Sequence, residues 1–442
     1  MAKIYDHHDA RLNWLGARRD RIDHYVAHAR SVAPYFIGRE ANLLMLDGWG
    51  GDSAGAAMFL TADGSLRELW RVPVSHSLGL FYQRITAQLG FQAHADEGKT
   101  MGLAAYGQIN EALLPDLCDS VTCLPELGRY LEFLNRCPVR RTSTEPLTAR
   151  HRDMAATAQY YLERALIRSA ERMWRETACP VFGLAGGVAL NCVANGKLAN
   201  TGFVSELVVT PVANDSGVAL GAAIARAHEE DGRCPRLPSD HAFLGPAFGL
   251  DDIDAALKFA KLQLRRCDPV ATATEALIEG KVVAVYQGHA EIGPRALGAR
   301  SILADPRTRL MRDRVNEEVK RRESWRPFAP VVSSAGANDI FGVSTPFMTI
   351  ADQVKEPWKE MLEAVVHVDG STRAQVMPSG SDLVAARVLE SFGSATGVPV
   401  LLNTSFNLSD EPMVAKPDHA IATFFRSGID MLVFEHGVLV KQ

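Results

Sequence analysis

Twice in succession between residues 179 and 230 the chain runs from an apolar strand through a glycine-containing turn into a helix. "CPVFGLAGGVALNCVANGKLAN" breaks at Gly186-Gly187, and "SELVVTPVANDSGVALGAAIARAHEE" repeats the plan with its turn at Asn214-Asp215-Ser216-Gly217. A glycine lets the backbone turn sharply and approach a ligand closely, and the helix that follows offers free amide donors at its start. Units of this kind build an α/β domain whose ligands gather where the strands end. Upstream, "NLLMLDGWGGDSAGAAMFLTADGSLRELWRV" predicts a strand ending at Asp47, a Gly-rich turn, a second strand and an "ADGS" turn into a third. The apolar spacing from Arg152 to Arg175 predicts a helix.

With 442 residues the chain exceeds what one hydrophobic core usually serves, so two domains are expected. The periodicity is interrupted at "EEDGRCPRLPSDHAFLGPAFG", residues 229–249, which sets a first domain at 1–231, a linker, and a second domain at 246–442. A content of 47% hydrophobic and 22% charged residues is that of a soluble globular protein. The net charge of -5 supplies no global field for nucleic acid, though local cationic sites for phosphate remain open. Seven cysteines without a CxxC indicate neither a disulfide framework nor a thiolate zinc site, which fits a reducing cytoplasm. No secretory leader and no bilayer-length apolar run is present, so a cytoplasmic enzyme without a membrane partner is expected.

"HYVAHAR" sets His24 and His28 four positions apart, where a helix would stack both imidazoles on one face. A half-exposed amphipathic face is the plainer explanation, so a metal needs further ligands. Asp47 and Asp215 each close an apolar strand and open a Gly-containing turn. Together the four make a mixed nitrogen and oxygen set that suits a divalent transition metal. Turn capping is the alternative for both aspartates.

The second half concentrates cations beside Gly and Pro turns. "GHAEIGPRALGARSILADPR" holds Arg295 and Arg300, and "NEEVKRRESWRPFAP" holds Lys320, Arg321, Arg322 and Arg326. Guanidinium forks grip phosphate oxygens in pairs, and lysine adds a mobile point charge. Arg295 and Arg326 stand next to proline in apolar surroundings, whereas Arg321 and Arg322 read as a solvated helix face. "VPVLLNTSFN" predicts a buried strand ending in Asn403, Thr404, Ser405 and Asn407, small polar groups able to bond a phosphate or a carbamoyl amide.

In order, "HYVAHA", "LMLDGWG", "EGKTMGLAAYG", "GLAGGVALNCVANGKL", "NDSGVALGAA", "GPRALGARSILADPR", "RPFAPVV", "HVDGSTRAQVM" and "GVPVLLNTSFN" followed by "EP" resemble the O-carbamoyltransferases of the NodU/CmcH type. The resemblance implies an actin-like (ASKHA) ATPase-fold first domain and a YrdC-like α/β second domain. It implies that the second domain forms carbamoyladenylate from ATP and carbamoyl phosphate. The first would then transfer the carbamoyl group to a hydroxyl, or an amine, of a small-molecule acceptor in secondary metabolism. It also implies metal ligands at His24, His28, Asp47 and Asp215, with iron first and manganese, magnesium or zinc as alternatives. The adenylation site falls on Arg295, Lys320, Arg326, Arg373 and Ser405. The adenylate would rest on Gly186, Gly187 and Asn191 with Lys99 near its phosphate, Asn403 would contact nucleotide, and His94 is a candidate base.

Such proteins normally carry a longer region with an "SxxHDSA"-type motif ahead of HxxxH, of which "YDHHDA" at residues 5–10 is a faint echo. The expectation is therefore an incomplete first half of the actin-like fold, covered by self-association or by a separately encoded partner. Two other classes stay open: an actin-like phosphotransferase that uses ATP directly, and a nucleotide-binding subunit of a larger complex.

Overall fold

The computed structural model describes residues 21–111, 140–237, 241–343, 345–409 and 411–441. The "YDHHDA" echo and three of the cysteines, Cys118, Cys123 and Cys137, lie outside the described residues. The rest is a mixed α/β structure built on two large sheets.

The first sheet holds β1 (Ala41–Gly50), β2 (Ser53–Leu60), β3 (Leu66–Pro73), β4 (Val181–Ala185) and β5 (Glu206–Val209), in the order β3-β2-β1-β4-β5. The first three form an antiparallel meander, and β1, β4 and β5 run parallel. The "LLML" run of β1 is apolar throughout because both faces are covered. Leu43 and Met45 pack with Tyr25, Val32 and Phe36 on one side. Leu44 and Leu46 pack with Phe81, Tyr161 and Leu184 on the other. The strand does not end at Asp47 as expected but runs to Gly50. Its ladder with β2 breaks register between Leu46 and Gly50, which frees the Asp47 side chain at the strand end.

Among the described residues six helices dress this sheet: α1 (His24–Val32), α2 (Leu78–Gln88), α3 (Glu97–Ala104), α4 (Ala149–Thr177), α5 (Cys192–Ala199) and α6 (Val218–Asp231). α4 outruns the expected helix at both ends. Thr148 and His151 cap its start, and Ala178 stops it in the left-handed conformation. α1 is fixed by Asp23, whose carboxylate accepts from the Tyr25 and Val26 amides. Tyr25 in turn donates to the Ser53 carbonyl. α1 and α6 cross closely at Gly221, where a Cβ would stand 1.7 Å from the Ala27 carbonyl oxygen. Gly221→Val is therefore expected to force these helices apart at a cost of about 1–3 kcal/mol or more. Its melting temperature should fall by several degrees, and an unchanged value in calorimetry would show that the crossing is not tight.

The second sheet combines β6 (Val283–Tyr286), β7 (Arg300–Ala304), β8 (Ala329–Ser333), β11 (Gln375–Met377), β12 (Val400–Ser405), β13 (Met431–Phe434) and β14 (Gly437–Val440), ordered β11-β8-β12-β7-β6-β13-β14. A small ribbon of β9 (Asp352–Gln353) and β10 (Ser371–Thr372) stands apart. The helices Pro269–Ile278 and Val384–Thr396 share a core with the large sheet through Leu277, Val285, Ile302, Val331, Leu389 and Leu401. The two halves meet along α5. Asn195 Nδ2 donates to the Thr349 carbonyl at 2.8 Å, and the Ala351 amide donates to the Cys192 carbonyl at 2.9 Å. Tyr106 Oη donates to the Trp325 carbonyl at 3.0 Å. These contacts place the strand ends of the first sheet opposite the arginine-bearing loops of the second.

Candidate active site

His24, His28, Asp47 and Asp215 converge as the sequence predicts, each offering one ligand atom within 4.8 Å of the others. His28 Nε2 lies 3.3 Å from both Asp47 Oδ2 and Asp215 Oδ1, and His24 Nε2 lies 3.7 and 3.6 Å from the same oxygens. His24 Nε2, His28 Nε2 and Asp47 Oδ2 are nonetheless buried without a hydrogen-bond partner. Orphaned polar atoms are costly in a protein interior, and a cation at their centre satisfies all of them at once. The donor set thus fits a divalent metal. Burial pushes the Asp47 carboxyl up, but the His24 and His28 imidazoles and the Gly48 amide outweigh it and hold the group well below the usual carboxylate range. Asp47 in turn raises His24. His28 is fully enclosed while the Asp215 side chain is 72% exposed, so the centre opens towards solvent on the Asp215 side.

The glycine pair has a local role here. A Cβ at Gly186, whose φ is +87°, would stand 2.2 Å from the Leu46 carbonyl oxygen, and one at Gly187 would stand 3.0 Å from Asp47 Oδ1. The turn expected to approach a ligand therefore also admits the backbone of β1 and the carboxylate of Asp47.

One cavity opens on this centre, and a second adjoins the first. The larger, about 400 Å³, is lined by Asp47, Asp215, Gly187, Asn191, Lys99 and His94 among others. Lys99 pairs with Asp96 at 3.0 Å, and His94 is exposed on a left-handed backbone at φ 68°. Asn191 caps α5 by accepting from the Ala194 amide. The smaller cavity, about 290 Å³, holds Arg295, Arg322, Arg326 and Arg373 in its wall. Both cavities share Gly98, Met101, Arg295 and Arg326. Burial and then Arg373 push the Arg295 guanidinium down to about 9, and Arg326 adds to the shift. Burial, then Arg326 and Arg373, push Arg322 well down. Four guanidiniums gathered in one half-enclosed space give it a cationic field that suits a polyanion.

Not every expected residue reaches these cavities. Lys320 is buried, and its amine donates to the carbonyls of Ser405 and Asn407 at 2.8 and 2.9 Å and to Asn407 Oδ1 at 2.6 Å. Burial, then Arg322 and Arg326, push it well below the usual lysine value. Ser405 Oγ donates to Asn407 Oδ1. Asn403 donates to the Ala296 carbonyl and to Gln375 Oε1, which ties β12 to the loop carrying Arg295. Lys320, Asn403 and Ser405 are absent from the walls of both cavities. Arg300 is fully buried over the Tyr286 ring, 3.8 Å from its centroid, and donates to the Gln287 and Gly288 carbonyls. Arg322 contradicts its reading as a solvated face: it stacks over Phe328, donates to Asn316 and the Pro327 carbonyl, and points into the smaller cavity. Sequence reasoning also passed over Gln159 and Glu163 on α4, Lys197 on α5, and His367 and Asp369. The last two stand in the "HVDGSTR" stretch that carries Arg373.

Comparison with known proteins identifies the family. The family described as Carbamoyltransferase N-terminus matches residues 20–224, and Carbamoyltransferase C-terminus matches residues 274–441. The chain belongs to the carbamoyltransferase family. It is 37% identical to nodulation protein NolNO of Sinorhizobium fredii, over 95% of this chain and 64% of that protein. Identity to nodulation protein NolO of Bradyrhizobium diazoefficiens is 36%, over 93% of this chain and 77% of that one. This carbamoyltransferase-family chain thus spans under two thirds of the first relative and about three quarters of the second. Two solved structures show a slight resemblance. Full-length HypF in its phosphate- and nucleotide-bound form gives a TM-score of 0.27 at 14% identity, over 39% of this chain and 24% of that one. The activator of 2-hydroxyisocaproyl-CoA dehydratase from Clostridium difficile gives 0.29 at 14% identity, over 49% and 72%. Neither likeness carries an inference about function. Among the described residues no helix is long and apolar enough to cross a membrane.

Proposed function

We propose that the chain activates a carbamoyl group as its adenylate in the smaller cavity and transfers it to an acceptor hydroxyl beside the metal centre. The observation that carries this reading is the shared wall. Arg295 and Arg326 border both cavities, so an anion made against the arginine cluster lies next to the cavity that opens on the metal ligands. Family membership supplies the carbamoyl chemistry.

In the first step carbamoyl phosphate loses phosphate to water, giving carbamate. A carbamate oxygen then attacks the α-phosphorus of ATP, and pyrophosphate leaves. Arg295, Arg322, Arg326 and Arg373 hold the phosphoryl oxygens and neutralise their growing charge. Lys320 steadies the Ser405–Asn407 strand end behind them. In the second step the acceptor oxygen attacks the carbamoyl carbon, AMP leaves, and the hydroxyl proton is lost to solvent. Asn191 and Lys99 face the space where the adenylate would lie. His24, His28, Asp47 and Asp215 would hold a divalent transition metal, with iron, manganese or zinc suiting the donors, and its Lewis acidity would polarise a carbonyl oxygen. Release of pyrophosphate from ATP that depends on added carbamoyl phosphate tests the first step. Production of ADP instead would mean a phosphotransferase, and no turnover would mean a binding subunit.

A further inference from the structure

The wall between the two cavities contains a directional hydrogen-bond chain. Asn191 Oδ1 accepts from the Ala194 amide, which fixes that atom as oxygen. Asn191 Nδ2 therefore donates to Gln159 Oε1 at 2.9 Å, and Tyr82 Oη donates to the same oxygen at 2.7 Å. With its oxygen so engaged, Gln159 must present Nε2 to Asn191 Oδ1 at 3.0 Å and to Glu163 Oε1 at 2.9 Å. Tyr82 and Asn191 line the larger cavity, while Gln159 and Glu163 line the smaller one. Glu163 and Asp369 are carboxylates in a cavity otherwise rich in arginine, and Glu163 Oε2 has no hydrogen-bond partner among the described residues.

A carboxylate in a phosphate site works against phosphate binding unless it has a donor of its own to hold. We propose that Glu163 is a specificity-determining residue whose second oxygen accepts a hydrogen bond from an amino group on the phosphorylated ligand of the smaller cavity. The inference rests on the reading above that this cavity takes phosphorylated ligands. The shared chemistry is phosphate plus N–H2, met by carbamoyl phosphate through its amide and by ATP through its adenine amine. Burial raises the Glu163 carboxyl, against the pull of Gln159 and Lys197, so a ligand donor would also relieve an under-satisfied anion. A site built to bond an N–H discriminates strongly against an analogue that lacks it.

The test is calorimetric binding to the full chain with two matched pairs: carbamoyl phosphate against acetyl phosphate, and ATP against inosine triphosphate. The wild type should prefer the amine-bearing member of one pair by about tenfold or more, and that pair names the source of the amino group. In Glu163→Gln the Gln159 donor pins the new amide oxygen, so an N–H2 turns towards the ligand and the preference should vanish or reverse. Glu163→Ala, which removes the acceptor without adding a donor, should also level the pair and serves if the glutamine variant folds poorly. A wild type without preference in either pair, or a variant that keeps it, overturns the proposal for Glu163 alone. Failure of the wild type to bind any of the four overturns the phosphate reading of the cavity as well.

Discussion

His28→Ala is expected to leave the protein without bound metal and without carbamoyl transfer, while carbamoyl phosphate-dependent pyrophosphate release continues at near the wild-type rate. His28 is the enclosed ligand of the four, and its Nε2 sits 3.3 Å from both carboxylate oxygens. Alanine removes that nitrogen and leaves the buried Oδ2 of Asp47 opposite a gap, whereas solvent can replace a ligand on the Asp215 side. The arginine cluster of the second half does not touch His28, so adenylation should be spared. Elemental analysis of the purified variant decides the first part. Metal content equal to that of the wild type would show that the four residues do not form the centre.

Arg326→Ala should do the opposite. Arg326 borders both cavities, and its guanidinium perturbs Arg295, Arg322 and Lys320, which places it at the middle of the cationic field. Two charge-assisted hydrogen bonds to phosphoryl oxygens, at roughly 1.5–3 kcal/mol each, correspond to a loss of about two to four orders of magnitude in adenylate formation. Transfer from added carbamoyladenylate should persist, because the metal ligands are untouched. Loss of that rescued transfer along with adenylation would show that Arg326 serves the other step.

Much of this arrangement is legible in the sequence, for identifiable reasons. The strand–Gly-turn–helix units around Gly186-Gly187 and Asn214–Gly217 announce an α/β layer, and HxxxH with two strand-end aspartates announces a cluster, because local spacing sets which side chains share a face. The end of β1 was less legible: apolar alternation says nothing of the register break that lets the strand pass Asp47. Arg321 and Arg322 are neighbours of one charge type, yet the first is exposed and the second is stacked over Phe328. The difference comes from the left-handed Arg321, φ 46°, which ends the π-helical turn Val315–Lys320 and redirects the chain. Lys320 looks like a phosphate ligand by composition, but the return of β12 surrounds its amine with the oxygens of Ser405 and Asn407. Gln159 and Glu163 share a face of α4 at i and i+4, and only the packing of α5 against the second half makes that face a cavity wall.

The activated carbamoyl group itself offers the most direct test. Rapidly quenched mixtures of the protein with ATP and isotopically labelled carbamoyl phosphate should contain, by mass spectrometry, AMP bearing one labelled carbamoyl group, together with pyrophosphate and phosphate. In the presence of an acceptor the label should pass from that adenylate to the acceptor, with release of AMP. Detection of ADP without any carbamoylated AMP would contradict the proposed sequence of steps.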